Sequence, residues 1–136
     1  IVDMPPGTGD TQLTFAQEIK VDGAIIVSTP QEIALQDVVR GIKMFDKLGV
    51  KIIGLVDNMS YFIGDDKKKY SIFGDGGVKR TAEEFNKKFL GEIPLDPDVG
   101  KKGDKGKPIV ESDPNHEVSK IYKNFAEKIK SSYLLN

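Results

Sequence analysis

A three-layer α/β/α architecture around a mainly parallel sheet is the fold class this sequence predicts, on three observations. Residues 23–28 and 51–57 are almost continuous apolar runs, the pattern of parallel strands buried on both faces. Between them Leu35, Val38, Val39, Ile42, Phe45 and Leu48 recur at spacings of three and four, which lays one apolar stripe along a helix. The 136 residues, with 38% hydrophobic content, suit one globular domain or a piece of one.

Taken in order, Ile1, Val2 and Asp3 read as the end of a buried strand, and residues 5–10, with two prolines and two glycines, as a loop. A helix follows to about Lys20, capped by Asp10 or Thr11, with Leu13, Ala16 and Ile19 on its apolar side. The strand at 23–28 ends near Thr29 and Pro30. The helix over 33–48 has Gly49 suited to its C-cap, and the strand at 51–57 completes a strand-helix-strand-helix-strand series, hence parallel pairing with right-handed crossovers. Tyr61, Phe62 and Ile63, the charged segment 64–69, and Tyr70, Ser71, Ile72 and Phe73 read as a short hairpin or an Ω-like excursion. After Gly76 and Gly77, Val78, Ala82, Phe85 and Phe89 space as a helix, and 89–94 as a short strand ended by Pro94. Pro97, Gly100 and Gly103 predict an irregular segment. Asp113 and Pro114 predict the N-cap and first residue of a closing helix with Val118, Ile121, Tyr122, Phe125, Ile129 and Tyr133 on its stripe.

Composition removes several function classes. Lys+Arg 20 against Asp+Glu 21, with the basic residues interspersed, provides no footprint for nucleic acid. With Cys 0 there is no disulfide, thiolate nucleophile or Cys-ligated metal within these residues. No apolar run approaches the ~20 residues that span a bilayer, and no basic-then-apolar leader opens the chain, so the expectation is a cytoplasmic protein without a membrane partner. The chain opens without Met and as if halfway through a strand, and is expected to be the C-terminal part of a longer domain.

An Asp at the carboxyl end of a buried strand before a Pro/Gly loop sits where open α/β sheets bind ligands. Asp3 with Pro5, Pro6 and Gly7 has the arrangement of a Walker B/switch II segment, in which the carboxylate holds Mg²⁺ through water and the Gly7 N–H approaches a terminal phosphate. Read alone, Asp3 fits equally a strand-end Asp capping its own turn.

The blocks Asp3-Met4-Pro5-Pro6-Gly7-Thr8-Gly9-Asp10, Ser28-Thr29-Pro30-Gln31-Glu32, Asp57-Asn58-Met59-Ser60-Tyr61-Phe62, Ile72-Phe73-Gly74 and Gly91-Glu92-Ile93-Pro94-Leu95-Asp96 occur together in order. Together they closely resemble the Mrp/ApbC family, MinD/ParA-like P-loop ATPases that act as iron–sulfur cluster carriers. The resemblance covers essentially the whole chain, as the C-terminal part of the family's domain. It implies ATP and Mg²⁺ as cofactors, Asp3 and Gly7 as the switch II pair at the metal and γ-phosphate with Pro6 beside them, and Asn58 as the reader of the adenine edge. It implies Pro94, Leu95 and Asp96 as the loop closing over the base, a homodimer as the working unit, and iron–sulfur apoproteins as recipients. An amide does offer a purine edge a donor and an acceptor in one rigid group, although a strand-end turn Asn reads the same way without the family.

Two departures qualify the resemblance. The G-x-x-x-x-G-K-[ST] phosphate loop does not occur in these residues, and 74–79 lacks its order, so this chain alone is expected to bind ATP feebly and hydrolyse it hardly at all. The C-x-x-C pair that many members place after the Asn-Met-Ser-Tyr-Phe block, as ligands of a possible 4Fe–4S cluster, is replaced by Gly64 and Lys67; Asp65 and Asp66 read as a solvated loop tip. His116, the single histidine, reads as a surface residue, and Lys67, Lys68 and Lys69 as a solvated turn offset by the two aspartates. Asp37 reads as a solvated helix-start acid in preference to one facing the nucleotide or a partner subunit, and the Tyr61-Phe62 and Ile72-Phe73 pairs as packing within the hairpin in preference to covering a partner surface. Two other readings remain at this level: a partitioning or positioning ATPase of the wider ParA/MinD group, and a noncatalytic interaction module built on the fold.

Overall fold

The computed structural model describes residues 1–4 and 9–134; residues 5–8, 135 and 136, and the side chains of Tyr133 and Leu134, lie outside the described residues. The elements are α1 (Asp10–Glu18), β1 (Ala24–Ser28), α2 (Glu32–Lys47), β2 (Ile52–Asn58), β3 (Phe62–Ile63), β4 (Lys69–Tyr70), α3 (Gly77–Glu84), β5 (Phe89–Ile93), α4 (Pro97–Gly103), α5 (Ile109–Ser112) and α6 (Glu117–Leu134).

Strands β1, β2 and β5 form a parallel sheet with β2 in the centre, and β3 and β4 form a separate antiparallel hairpin. Side chains alternate across β2. Leu55 turns to α2 and α3, meeting Leu35, Val38, Ile42, Val78 and Ala82, whereas Val56 turns to α5 and α6 with Leu90, Ile93, Ile109, Val118 and Phe125. Two separate apolar clusters therefore sit on opposite faces of one sheet, which is the three-layer arrangement the alternation predicts.

Helix α2 closes as its sequence predicts. Gly49 takes φ +68, the Val50 N–H donates to the Phe45 carbonyl at 2.9 Å, and the Gly49 N–H to Asp46 at 3.2 Å, the paired bonds of a Schellman end. A Cβ at Gly49 would meet nothing within 4 Å, so Gly49→Ala tests backbone conformation alone. It should cost about 1 kcal/mol by urea denaturation, and an unchanged midpoint would contradict it.

Several local expectations are corrected. Residues 1–4 form no strand, and Ile1 and Val2 are exposed, since no described strand pairs with them. Helix α1 is capped by Gly9 without a side-chain bond, not by Asp10 or Thr11. Strand β1 is covered on one face only: Ile26 packs against the α2 cluster, but Ile25 and Val27 stay exposed because α5 and α6 lie over β2 and β5. Phe89 belongs to β5 alone, because Asn86 at φ 51 ends the chain's helical course after α3.

Residues 97–103 are a helix rather than irregular, because Asp96 is an N-cap whose side chain accepts from the Asp98 N–H, and Pro97 fits the first turn. The corresponding pair at Asp113 and Pro114 instead closes α5 and turns the chain, and α6 starts at Glu117. There the Ser119 hydroxyl is buried and lies 3.0 Å from the Ile109 carbonyl and 2.7 Å from that of Asp113, so the turn is fixed from inside the last helix.

Candidate functional site at the carboxyl end of the sheet

The carboxyl ends of β2 and β5 bring together residues that sequence spacing keeps apart. Asn58 is the register partner of Ile93, the Ser60 N–H donates to the Ile93 carbonyl at 3.0 Å, and the Leu95 N–H donates to the Tyr61 carbonyl at 2.7 Å. Asn58 is thus held beside the Pro94, Leu95 and Asp96 loop by backbone bonds, with Met59 at φ 52 turning the chain between them.

Tyr61, Phe62, Pro94, Leu95, Asp96 and His116 are among the residues around a cavity of about 420 Å³, a volume within the small-ligand range. Its polar corner is built by two capping residues. Asp96 accepts from the Asp98 N–H at 2.8 Å through Oδ1, and its Oδ2 lies 3.7 Å from His116 Nε2. His116 Nδ1 accepts from the Val118 N–H at 3.2 Å, which leaves the proton of a neutral ring on Nε2, toward Asp96. His116 is therefore not a plain surface residue: its side chain is 22% exposed and it caps α6.

On the opposite face of the sheet, Asp57 pairs in register with Ser28 on β1 and Glu92 on β5. Asp57 is 0% exposed and neither carboxylate oxygen has a hydrogen-bond partner among the described residues. Burial, and then the negative charges of Glu92 and Asp75, push its carboxyl up from 3.8 to about 6, against a weaker opposing pull from Lys69. Lys69 does not belong to a solvated turn. It reaches back from β4 to Glu92 Oε2 at 3.1 Å and sits 4.1 Å from the centre of the Tyr61 ring.

The hairpin tip is organised by Asp66, which accepts from the Tyr70 hydroxyl at 2.7 Å and from the Lys68 N–H at 3.0 Å; these bonds hold its carboxyl below the ordinary range. Packing within the hairpin is only partial, because Ile63, Tyr70 and Ile72 remain exposed. Asp37 is an exposed helix acid paired with Arg40 at 2.9 Å.

Of the expected site residues, the structure gathers Asn58, Pro94, Leu95 and Asp96. Asp3 lies exposed outside any strand, and Pro6 and Gly7 fall outside the described residues. Pro94, Leu95 and Asp96 line the cavity, whereas Asn58 is not among its lining residues and is tied to that loop through the pairing of β2 with β5. The residues present do not fit a cluster ligand set, since the chain has no thiolate. Sequence reasoning missed the Asp57, Glu92 and Lys69 group, although a carboxylate ending a five-residue apolar run was its visible signal.

A parallel α/β/α sheet with its polar residues collected at the carboxyl ends of the strands is the architecture of P-loop NTPases of the ParA and MinD type. Within that class the chain belongs to the ParA family described as NUBPL iron-transfer P-loop NTPases, whose family model matches residues 1–130. It is 47% identical over 128 residues to the iron-sulfur cluster carrier protein of Aquifex aeolicus, covering 93% of this chain and 35% of that protein. It is 49% identical over 130 residues to the iron-sulfur protein required for NADH dehydrogenase, mitochondrial, of Arabidopsis thaliana, covering 95% and 42%. A nucleotide-binding protein of Archaeoglobus fulgidus, solved in complex with ADP, superposes with a TM-score of 0.68 at 39% identity, over 76% of this chain and 43% of that one. The chain thus spans about two fifths of the length of these relatives.

Proposed function

We propose that the protein containing this chain is an ATP-dependent iron–sulfur cluster carrier, with these residues supplying the nucleobase side of its nucleotide site. The observation that carries the reading is the backbone-tied junction of Asn58 with Pro94, Leu95 and Asp96 beside a ligand-sized cavity. The names of the relatives, iron–sulfur carriers or nucleotide-binding proteins, support it from outside the site.

In this reading the Asn58 amide pairs with the adenine edge and the 94–96 loop covers the base, fixing the nucleotide's orientation before any bond is broken. By the family resemblance, Asp3 is the residue that would hold Mg²⁺, and Gly7 the one whose N–H would serve the terminal phosphate. ATP supplies the phosphoanhydride, and hydrolysis by positioning and charge stabilisation needs a phosphate loop that these residues do not contain. The homodimer is the working unit, and iron–sulfur apoproteins receive the cargo. Thiolates for that cargo come from outside these 136 residues.

Asn58→Ala in the full-length protein should weaken ATP binding by roughly tenfold, the loss of one or two hydrogen bonds to the base. It should also erase the preference for ATP over GTP. Isothermal titration with both nucleotides checks this, and unchanged affinity together with unchanged preference would remove Asn58 from the base site.

A further inference from the structure

A carboxylate at the end of a central strand, fully buried and with both oxygens unpartnered among the described residues, is a rare arrangement in a folded chain, and nothing in the nucleotide reading uses it. Its surroundings explain what it lacks. The charged groups acting on Asp57 are Glu92 of β5, Asp75 of the turn before α3, and Lys69 of β4, while its β1 neighbour Ser28 is uncharged. One ammonium thus serves several carboxylates, and its 3.1 Å contact goes to Glu92. No hydrated ion has access to a side chain with no exposed surface, so the smallest cation, a proton, is what can neutralise Asp57 in place.

We propose that Asp57 is a proton-taking positioning residue: protonated, it leaves Lys69 to Glu92 and holds the β3–β4 hairpin against the end of β5; ionised, it competes for Lys69 and loosens the hairpin. The lever is short. Lys69 lies on β4 and over the Tyr61 ring, and the Tyr61 carbonyl accepts from the Leu95 N–H, so hairpin and 94–96 loop share a hinge. The consequence for ATP rests on the reading above, but the latch itself is measured without nucleotide.

Opening the hairpin lets water reach Asp57 and returns its carboxyl toward its ordinary 3.8 from about 6, so the closed form binds the proton more tightly by up to about a hundredfold. Raising the pH from 5 to 8 therefore shifts the hairpin toward the open form by up to about tenfold, because the closed form is mostly protonated at pH 5 and both forms are ionised at pH 8. Hydrogen exchange at residues 62–70 in the nucleotide-free full-length protein, corrected for intrinsic rates, reads that shift. The wild type should lose protection by this factor, whereas Asp57→Asn should stay flat. Parallel pH profiles in the two proteins would overturn the proposal.

Should Asp57→Asn not fold, carbon-detected titration of the wild-type Asp57 carboxyl and nitrogen-detected titration of the Lys69 ammonium carry the test. A shared midpoint near 6 is expected; an Asp57 midpoint near 4, or a Lys69 signal that stays flat through the Asp57 transition, would refute it. Because no arm uses nucleotide, a protein that fails to bind ATP sinks the carrier reading and leaves this one standing.

Discussion

Gly91→Ala is expected to destabilise the fold by about 3 kcal/mol, through two separable costs. Gly91 sits at φ +144, where an L side chain is strained, at roughly 1–3 kcal/mol. An added Cβ would also stand 2.8 Å from Phe125 Cε1 and 3.3 Å from Cζ. Phe125 is buried with Val56, Leu90, Ile93, Ile109 and Val118, so its ring has little room to yield, and overpacking of this kind costs about 1–3 kcal/mol. The glycine is needed where β5 carries an extra residue: Leu55 pairs with Phe89 but Val56 with Gly91. Urea denaturation measures the total, and Phe125→Leu in the Gly91→Ala background should recover the steric part and leave the backbone part. A loss below about 1 kcal/mol would mean that α6 is free to shift away from β5.

Stability should fall as the pH rises from about 4 to 7 because of Asp57, and the fall should vanish in Asp57→Asn. The sign follows from the proton count. The native carboxyl is raised from 3.8 to about 6, so between these values the folded protein binds more protons than the unfolded one. Stability then decreases with pH through that window and levels off above it. Two pKa units would correspond to up to about 3 kcal/mol, and screening at the end of the sheet reduces this to about 1–2 kcal/mol.

Asp66, Asp113 and Glu117 act in the opposite direction. Each is held low by hydrogen-bonded partners, so each adds stability above its ordinary range that is lost in acid. The informative quantity is therefore the difference between wild type and Asp57→Asn across the pH series. A difference that stays constant from pH 4 to 8 would show Asp57 titrating as an ordinary exposed acid.

Much of the fold is legible in the sequence because its signals are local and periodic. The apolar run of β2, the stripe of α2 and the left-handed Gly49 after it all depend on neighbours within one or two turns. Asn58 is grouped with Pro94, Leu95 and Asp96 through motif resemblance, since nothing in their spacing says that they meet, and the structure does place them side by side. Local signals misled where one pattern serves two structures. Asp-Pro begins a helix at Asp96 and Pro97 but ends one at Asp113 and Pro114, and only packing distinguishes them: the buried Ser119 hydroxyl lies within hydrogen-bonding distance of the Ile109 and Asp113 carbonyls.

The sequence by itself determined the layer order, the parallel sheet, the lack of thiolates within these residues and the family to which the chain belongs, because alternation, composition and ordered motifs survive without coordinates. Tertiary structure alone decided which charges meet. Lys69 and Glu92 are 23 residues apart, and Asp96 and His116 lie on either side of two helices, yet each pair closes at the carboxyl end of the sheet. It also decided that the Asp57 carboxylate meets no hydrogen-bond partner among the described residues. The burial of a carboxylate is set by everything packed around it, and a single strand's pattern records which face it takes but not whether a donor waits there.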